Sequence, residues 1–301
     1  MDQHILITGA TGMLGNDLIQ SLTARGHRVS VLARKPQNIE NANVYLWDVY
    51  KGEIDIACLA GVDTIIHLAG ENISKEKWSE QRKKEIIDSR VLSARLLFQT
   101  LANHKNQVKS FISAAATGYY GDSGEEIMTE TATPGKDFLA DSCIQWEDAA
   151  DEGITMGLRV VKIRTGVVLS KEDGALPAMA KPIKFFAGAP LGSGKQWVSW
   201  IHLEDITKIY IHAVEHKEMH GAYNACAPFP VTNKTLTKAI AKKLQRPVWP
   251  FSVPEKVMKM ILGEMSAIVL NSNNVSAQKL LSTGFIFNYT TLEEALNDIY
   301  P

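Results

Sequence analysis

The feature that most constrains the fold of this chain is a glycine-rich turn between an apolar strand and a helix, close to the N-terminal end. Residues 5–7 are consecutive aliphatic residues, typical of a buried strand. Three glycines follow at intervals of three, beginning with Gly9, and residues 13–25 then show helical periodicity. A strand, a tight turn and a helix in this order predict the first half of a βαβ unit, and hence a parallel sheet.

The same turn is suited to binding a pyrophosphate. The first glycine permits a tight turn, the second lets a phosphate approach the backbone, and the third lets helix and strand pack closely. The N–H groups and positive dipole end of the helix would stabilise the negative charge. We therefore expect a dinucleotide here; a glycine-rich turn without a ligand is the alternative. The residues predicted to contact the cofactor are Gly9, Ala10, Thr11, Gly12, Met13, Leu14 and Gly15.

The end of the second predicted strand indicates which dinucleotide would bind. A carboxylate there would bind the ribose 2′-hydroxyl of NAD, but the sequence has Arg34 and Lys35. A guanidinium can pair with a 2′-phosphate through two hydrogen bonds, so the sequence predicts NADP. An ordinary solvated strand end is the alternative. Asp48, at the end of the third strand, could accept a hydrogen bond from the adenine amine or could be a turn residue.

Strands and helices continue to alternate along the chain. The predicted strands are residues 5–7, 29–33, 44–47, 64–68, 110–114, 158–163 and 223–225, and the predicted helices are residues 13–25, 78–103, 138–151, 203–216 and 291–299. This pattern predicts an α/β fold, a Rossmann-type doubly wound parallel sheet with a smaller, mostly helical C-terminal region. We expect an NADP-binding domain over residues 1–226, with a substrate-loop insertion at about residues 170–200, and a C-terminal substrate or lid region over residues 227–301. Trp146 and Trp249 are expected in cores.

Composition excludes several classes of protein. The chain has 32 Lys and Arg against 33 Asp and Glu, a net charge of −1, which argues against nucleic acid or an anionic membrane as partner. Its three cysteines form no CxxC, so neither a disulfide framework nor a zinc site is indicated. The N-terminus has no signal-peptide pattern, and no run of about 18 apolar residues occurs. We expect a reduced, cytoplasmic protein, either a monomer or a homodimer.

Later sequence blocks resemble a known family. They are His67 to Gly70, Gly118 to Asp122, Arg164 to Leu169, Gly192 to His202 and Asn224 to Asn233. Together they are similar to the bacterial "epimerase family" proteins, an atypical short-chain dehydrogenase/reductase branch of the NAD-dependent epimerase/dehydratase group. That branch has a short C-terminal domain of unknown function, which residues 250–298 resemble. The resemblance implies further cofactor contacts at Leu68, Ala69, Gly70, Ser113 and Arg164, and a small-molecule substrate.

The resemblance also implies a catalytic set that this chain lacks in part. The wider superfamily uses a Ser or Thr, a Tyr, a Lys four residues after that Tyr, and an Asn. Residues 138–147 contain neither the Tyr nor the Lys, and Arg90 lies near the position of the Asn. Thr117, Tyr119 and Tyr120 are the candidate replacements, with Arg90 or Arg164 as a cation that could lower a phenol pKa. The alternative is that both tyrosines only pack the cleft wall.

Two segments are predicted to contact the substrate, because both should lie beyond the carboxyl ends of the strands. The candidates are Asn72, Trp78, Arg82, Arg90, Gln196, Trp200 and His202. A structural histidine at position 202 and a solvated helix face at residues 82–84 are the alternatives. Two functions remain open: an NADP-dependent oxidoreductase or epimerase acting on a small polar, sugar-like molecule, or a non-catalytic NADP(H)-binding redox sensor.

Overall fold

A central eight-stranded sheet organises the chain, which the computed structural model describes over residues 2–301. The strands, numbered along the chain, are β1 (His4–Thr8), β2 (Arg28–Ala33), β3 (Ala42–Asp48), β4 (Glu53–Ile54), β5 (Thr64–His67), β6 (Ser110–Ala116), β7 (Ile127–Met128), β8 (Arg159–Thr165), β9 (Val167–Leu169), β10 (Trp197–Val198), β11 (Trp200–His202), β12 (Gly221–Ala225), β13 (Val231–Thr232) and β14 (Asn274–Val275). The central sheet has the order β12-β8-β6-β5-β1-β2-β3-β4. Its strands pair in parallel, except that β4 runs antiparallel to β3.

Helices lie on both faces of this sheet and in the region that follows it. They are α1 (Met13–Ala24), α2 (Glu80–Asn103), α3 (Phe138–Thr155), α4 (Ala175–Lys184), α5 (Leu203–Glu215), α6 (Asn233–Lys243), α7 (Glu255–Leu262), α8 (Ala267–Leu270), α9 (Gln278–Leu281) and α10 (Leu292–Ile299). Side chains of α1 and α5 belong to the hydrophobic cluster on one face, and side chains of α2 and α3 to the cluster on the other. The strand order reverses at β1, which lies between β2 and β5. Ligands of such sheets bind beyond the carboxyl ends of the strands at this reversal.

Residues from the last third of the chain take part in the core. Val275, Leu280 and Phe285 belong to the cluster beneath α1 and α5. A third cluster joins Leu176 and Trp200 to helices α6 and α10. Both clusters therefore combine residues from either side of position 226, where the domain boundary is predicted.

The predicted fold class is confirmed, and the predicted strands and helices have observed counterparts along the chain. Trp146 is buried as expected, but the prediction for Trp249 is wrong, because its side chain is 57% exposed. The sequence pattern also missed the two-residue strands β4, β7, β10, β13 and β14, which are too short to show alternation.

Within residues 2–301, no helix combines the length and apolar character needed to cross a membrane. The three cysteines, Cys58, Cys143 and Cys226, are free thiols and are buried. Burial raises the pKa of each thiol to about 12. At neutral pH these residues are therefore protonated and behave as small apolar side chains.

Candidate functional site

The glycine turn after β1 has two packed positions and one open position. Gly9 has a φ of +69°, and a Cβ there would lie 2.8 Å from the carbonyl carbon of Leu68. At Gly15 a Cβ would lie 2.4 Å from the Cα of Ala10. At Gly12, by contrast, the nearest atom to a Cβ would be the Gly9 carbonyl oxygen at 3.5 Å. Gly12 therefore leaves space beside the backbone that the protein itself does not fill.

The helix that follows the turn begins without a side-chain cap. Gly12 is the N-cap residue of α1, and the first turn of α1 contains no acidic residue. In α2 the side chain of Ser79 accepts a hydrogen bond from the backbone N–H of Arg82, and α3 is capped in the same way by Asp137. An uncapped N-terminus has backbone donors and a positive dipole end available for an anion. The turn therefore fits a pyrophosphate.

The residues predicted to contact the adenosine half of the dinucleotide lie at the ends of β2 and β3. The Arg34 side chain is 78% exposed, and its Nη1 lies 3.3 Å from Oε1 of Glu71. Lys35 is exposed. The Asp48 carboxylate accepts hydrogen bonds from the backbone N–H groups of Tyr50 and Lys51, so the structure places it as a turn residue. Arg34 is thus a cation at the strand end, and Asp48 is already occupied by its own turn.

A buried histidine holds the ends of β1 and β5 together. His67 Nδ1 lies 2.8 Å from Thr8 Oγ1, and His67 Nε2 lies 3.1 Å from Ser93 Oγ. Burial lowers the pKa of His67 to about 4, so the ring is neutral at pH 7. Thr8 Oγ1 also accepts hydrogen bonds from the backbone N–H groups of Leu68 and Ala69, both at 3.2 Å. This fixes the segment that passes beside Gly9.

Arg90 lies against the same segment and is held by backbone carbonyl groups. Its Nη1 donates to the carbonyl of Ile86 at 2.8 Å, and its Nη2 donates to the carbonyl of Glu71 at 3.0 Å. A Cβ on Gly70 would lie 3.1 Å from Cζ of Arg90, and that guanidinium lies over the ring of Trp146 at 4.7 Å. Arg90 is therefore a fixed, partly buried cation at the carboxyl edge of the sheet.

Arg164 lies in a buried network and is 3% exposed. Its Nε and Nη2 donate to the two carboxylate oxygens of Glu147 at 2.7 and 2.9 Å. Its Nη1 donates to Tyr120 Oη at 2.9 Å and to the carbonyl of Glu130 at 3.2 Å. This geometry favours a structural role over the predicted cofactor contact, because the protein's own groups occupy the guanidinium.

The two tyrosines next to this network differ in their suitability as acids. The Tyr120 hydroxyl donates to Asn224 Oδ1 at 2.6 Å, and burial raises its pKa to about 12, although Arg164 opposes the shift. A buried, fully bonded phenol with this pKa is a poor proton donor at neutral pH. Tyr119 is only partly buried, and the guanidinium of Arg164 lies 3.5 Å from its ring centroid. Of the two, Tyr119 is the better candidate.

Two further residues predicted for the site, Ser113 and Thr117, are buried. Ser113 is 1% exposed within β6, and its hydroxyl donates to the carbonyl of Ala114. Thr117 is 8% exposed and begins the short turn that carries both tyrosines. The thiol of Cys143 lies 3.6 Å from the position that a Cβ on Gly118 would occupy. An uncharged thiol thus lies where α3 packs against this turn.

A cleft of about 830 Å³ lies between the sheet domain and residues 255–272. Trp78 and Gln196, each from one of the two predicted substrate segments, both line it. Phe138 also lines it and packs edge-on against Trp78 at 4.8 Å between ring centroids. Acidic, basic, hydroxyl and amide side chains complete the wall, including Asp137, Lys195, Ser266 and Asn271. A cavity of this size with an aromatic wall and mixed polar groups suits a small polar ligand.

Five of the seven predicted substrate residues do not line this cleft: Asn72, Arg82, Arg90, Trp200 and His202. Trp200 is fully buried, and its indole N–H donates to the carbonyl of Phe229. His202 caps α5, because its Nδ1 accepts from the N–H of Glu204, and its Nε2 lies 3.3 Å from a carboxylate oxygen of Asp298. These contacts fit the structural role that was the alternative prediction for His202.

The loop after β5 also differs from the prediction. The Asn72 side chain accepts hydrogen bonds from the N–H and the hydroxyl of Ser74, which close its own turn. Arg82 is 7% exposed and pairs with Glu71 and Glu85 at 3.2 and 3.1 Å. The expected solvated face at residues 82–84 is therefore wrong for Arg82, which instead anchors the loop.

Sequence reasoning missed the residues that connect the cleft to the C-terminal region. Lys83 Nζ lies 2.7 Å from Oε2 of Glu264, and Asn271 Nδ2 donates to Asp137 Oδ2 at 2.6 Å. The Gln196 side chain donates to the carbonyl of Val269 at 3.1 Å. These partners are far apart along the chain, so no local pattern could have revealed them.

Comparisons with known proteins agree with this arrangement. Residues 5–226 match the NAD dependent epimerase/dehydratase family, and residues 253–299 match a domain of unknown function, DUF1731. The chain is 38% identical over 298 residues to the epimerase family protein YfhF of Bacillus subtilis, covering 98% of this chain and 97% of that protein. It is 36% identical to the chloroplastic SDR39U1 homolog of Arabidopsis thaliana, covering 98% of this chain and 86% of the relative.

A solved structure of the human epimerase family protein SDR39U1 with NADPH aligns with a TM-score of 0.86 at 30% identity, covering 99% of both chains. A UDP-glucose 4-epimerase from Thermus thermophilus, in complex with NAD, has the same fold at 18% identity, with a TM-score of 0.76 and coverage of 99% and 98%. Sequence and structure agree over almost the whole length. The chain therefore belongs to the NAD-dependent epimerase/dehydratase family, with a DUF1731 domain at its C-terminal end.

Proposed function

We propose that this protein binds NADP(H) and acts as an oxidoreductase or epimerase on a small polar substrate held in the 830 Å³ cleft. The observation that carries the proposal is the open position at Gly12, beside the uncapped N-terminus of α1. Two packed glycines hold the backbone in place, and the third leaves room for a phosphate next to free N–H groups. A turn that served only to join β1 to α1 would not need this space.

NADP is favoured over NAD by the charge at the end of β2. Arg34 and Lys35 are exposed there, and the nearby acid, Glu71, pairs with Arg34. A 2′-phosphate could take the place of this carboxylate on the guanidinium. The NADPH in the human relative's structure supports the same preference. We infer that Arg34 binds the 2′-phosphate and that Lys35 adds a second positive charge.

The nicotinamide ring, when bound, supplies a hydride acceptor or donor, and the chain's own residues must position the substrate and move protons. Arg90 is a fixed cation beside the segment that follows β5, and Thr117 and Tyr119 lie on the turn after β6. We assign Tyr119 as the proton donor or acceptor, with Thr117 as the group that orients a carbonyl. Trp78, Phe138 and the other cleft residues would orient the substrate.

Direct titration tests cofactor binding. Purified protein is titrated with NADPH and with NADH, and the fluorescence of the reduced nicotinamide is followed. We expect tighter NADPH binding, with the preference reduced about tenfold in Arg34→Ala, which corresponds to about 1.4 kcal/mol. Lys35→Ala is the matched control and should change affinity less. Absence of binding to either nucleotide would overturn the proposal.

A non-catalytic NADP(H) sensor is the second candidate, favoured by the missing Tyr and Lys in α3 and by the bonded state of Tyr120. The two candidates differ in turnover. Carbonyl and sugar compounds are screened with NADP⁺ or NADPH present, and any turnover is compared between wild type, Tyr119→Phe and Tyr120→Phe. Loss in Tyr119→Phe alone supports the enzyme, whereas NADPH binding without turnover across the screen supports the sensor.

A further inference from the structure

The surface at the end of α4 and before α7 exposes four large aromatic side chains. They are Phe185 (75% exposed), Phe186 (57%), Trp249 (57%) and Phe251 (74%), and we call them the aromatic patch. A backbone hydrogen bond from the N–H of Trp249 to the carbonyl of Gly188, at 2.8 Å, joins the segment after α4 to the segment before α7. Exposed aromatic groups gathered in this way mark an interaction site more often than an ordinary surface.

The aromatic patch is held by specific contacts. The Trp249 indole N–H donates to the carbonyl of Phe186 at 2.8 Å, and the guanidinium of Arg246 lies 4.9 Å from the centroid of the Phe186 ring. Phe186 has a φ of +61°, in the left-handed region that bulky residues rarely adopt. Such strain persists only where the surrounding structure enforces it. The backbone and these contacts therefore hold the aromatic rings in defined positions on the surface.

Helix α7, which follows the aromatic patch, presents its apolar side to solvent. Glu255 and Lys259, one turn apart, line the cleft. Val257, Met260 and Ile261 occupy the opposite side by helical spacing and are 37%, 80% and 55% exposed. The helix has no buried residue. The arrangement of its polar and apolar sides is thus the reverse of that expected for a surface helix, whose apolar side normally faces the core.

The same part of the chain carries a concentrated positive charge. Residues 181–195 and 234–262 contain ten Lys and Arg and one acidic residue, a net charge of +9 in a chain whose total is −1. Two of these cations form ion pairs, Lys242 with Glu293 and Lys259 with Glu255. The balanced overall composition therefore conceals a strongly basic surface region.

We propose that the aromatic patch, the exposed side of α7 and the surrounding cations bind the surface of an anionic lipid bilayer. Aromatic rings favour the interface between headgroups and acyl chains, and lysines and arginines are attracted to anionic headgroups. A two-fold contact between copies of the chain would bring two segments of charge +9 together. Single-stranded nucleic acid would stack on the rings but would leave the aliphatic side of α7 uncovered. An anionic bilayer surface can bind the aromatic patch, the apolar side of α7 and the cations at the same time.

Co-sedimentation with vesicles tests the proposal. Vesicles of phosphatidylcholine with about one third phosphatidylglycerol should bind the protein, and phosphatidylcholine vesicles should not. Binding should weaken at high salt, and Trp249 emission should shift to shorter wavelength on anionic vesicles, a shift that Trp249→Phe removes. The double variant Phe185→Ser/Phe251→Ser, and separately Met260→Ser/Ile261→Ser, should lower partitioning about tenfold.

The matched control is Ile127→Ser/Ile286→Ser, which removes two equally exposed apolar side chains outside the patch and should bind as wild type does. Circular dichroism verifies that each variant is folded. Absence of binding to anionic vesicles, or an equal loss in the control, would overturn the proposal. So would a dimer that Phe185→Ser/Phe251→Ser dissociates in ultracentrifugation, or tighter binding to a single-stranded oligonucleotide than to vesicles.

Discussion

Replacing Gly12 by alanine should weaken cofactor binding at least about tenfold without unfolding the protein. The added methyl group would have one protein neighbour, the carbonyl oxygen of Gly9 at 3.5 Å, which is ordinary van der Waals contact. Gly12 has a φ of −81°, which alanine adopts freely. The only folding cost is that of a less favourable N-cap residue, about 0.5–1 kcal/mol. The methyl group would, however, fill the space assigned to the pyrophosphate.

Gly15→Ala is the matched control, because it makes the same chemical change one helical turn further on. Its Cβ would lie 2.4 Å from Cα of Ala10 and 2.5 Å from the carbonyl oxygen of that residue. Backbone atoms cannot move aside as a flexible side chain can, so we expect a loss of about 3 kcal/mol in the free energy of unfolding. The two variants should therefore separate ligand binding from packing.

Urea denaturation followed by circular dichroism gives the free energy of unfolding, and fluorescence titration gives the dissociation constant for NADPH. For Gly12→Ala we expect near wild-type stability and at least about a tenfold loss of affinity, or about 1.4 kcal/mol. Unchanged affinity would show that no phosphate approaches Gly12. Unfolding of Gly12→Ala to the same extent as Gly15→Ala would refute the distinction between open and packed positions.

Three further substitutions test the buried polar groups. Glu147→Gln leaves Arg164 as a buried cation without its anion, so urea denaturation should show a loss of about 3 kcal/mol. Tyr120→Phe removes the hydroxyl between Arg164 and Asn224 and should cost about 1–3 kcal/mol while leaving NADPH affinity unchanged in the titration. His67 has a pKa of about 4 in the folded chain against an ordinary 6.5, so the unfolded chain takes up the proton first as the pH falls. Wild type should therefore lose roughly 3 kcal/mol between pH 6.5 and pH 4 that His67→Gln does not lose, as measured by urea denaturation at each pH.

The fold could be predicted from local patterns because this architecture is encoded locally. The glycine spacing that begins at Gly9, the apolar strand before it and the helix after it form a continuous segment, and their geometry follows from backbone constraints alone. The exposure of Trp249 could not be predicted in this way, because whether an aromatic side chain is covered depends on distant segments.

The candidate site was predictable only in part for the same reason. The strand order predicts loops at the carboxyl edge of the sheet, and Trp78 and Gln196, which belong to two of those loops, both line the cleft. The position of Trp200 could not be inferred, because a short strand gives too few alternating residues to fix its face. The ion pair between Arg164 and Glu147 could not be predicted either, because it depends on how helix α3 packs against strand β8, and no local sequence pattern reveals that packing.

Because the C-terminal quarter of the chain shares hydrophobic cores with the rest of the protein, it is an integral part of the fold rather than an appended module. Phe285 packs within the cluster beneath α1 and α5, and Leu296 packs with Trp200 in the third cluster. The connection at residues 245–251, by contrast, is largely exposed. A single chain break within residues 245–251 would thus leave two fragments held together only by noncovalent contacts, namely these cores and the polar contacts between the cleft and the C-terminal region. The two pieces, expressed as separate polypeptides, should reassemble by complementation, and their reassembly would report directly on the strength of the core between them.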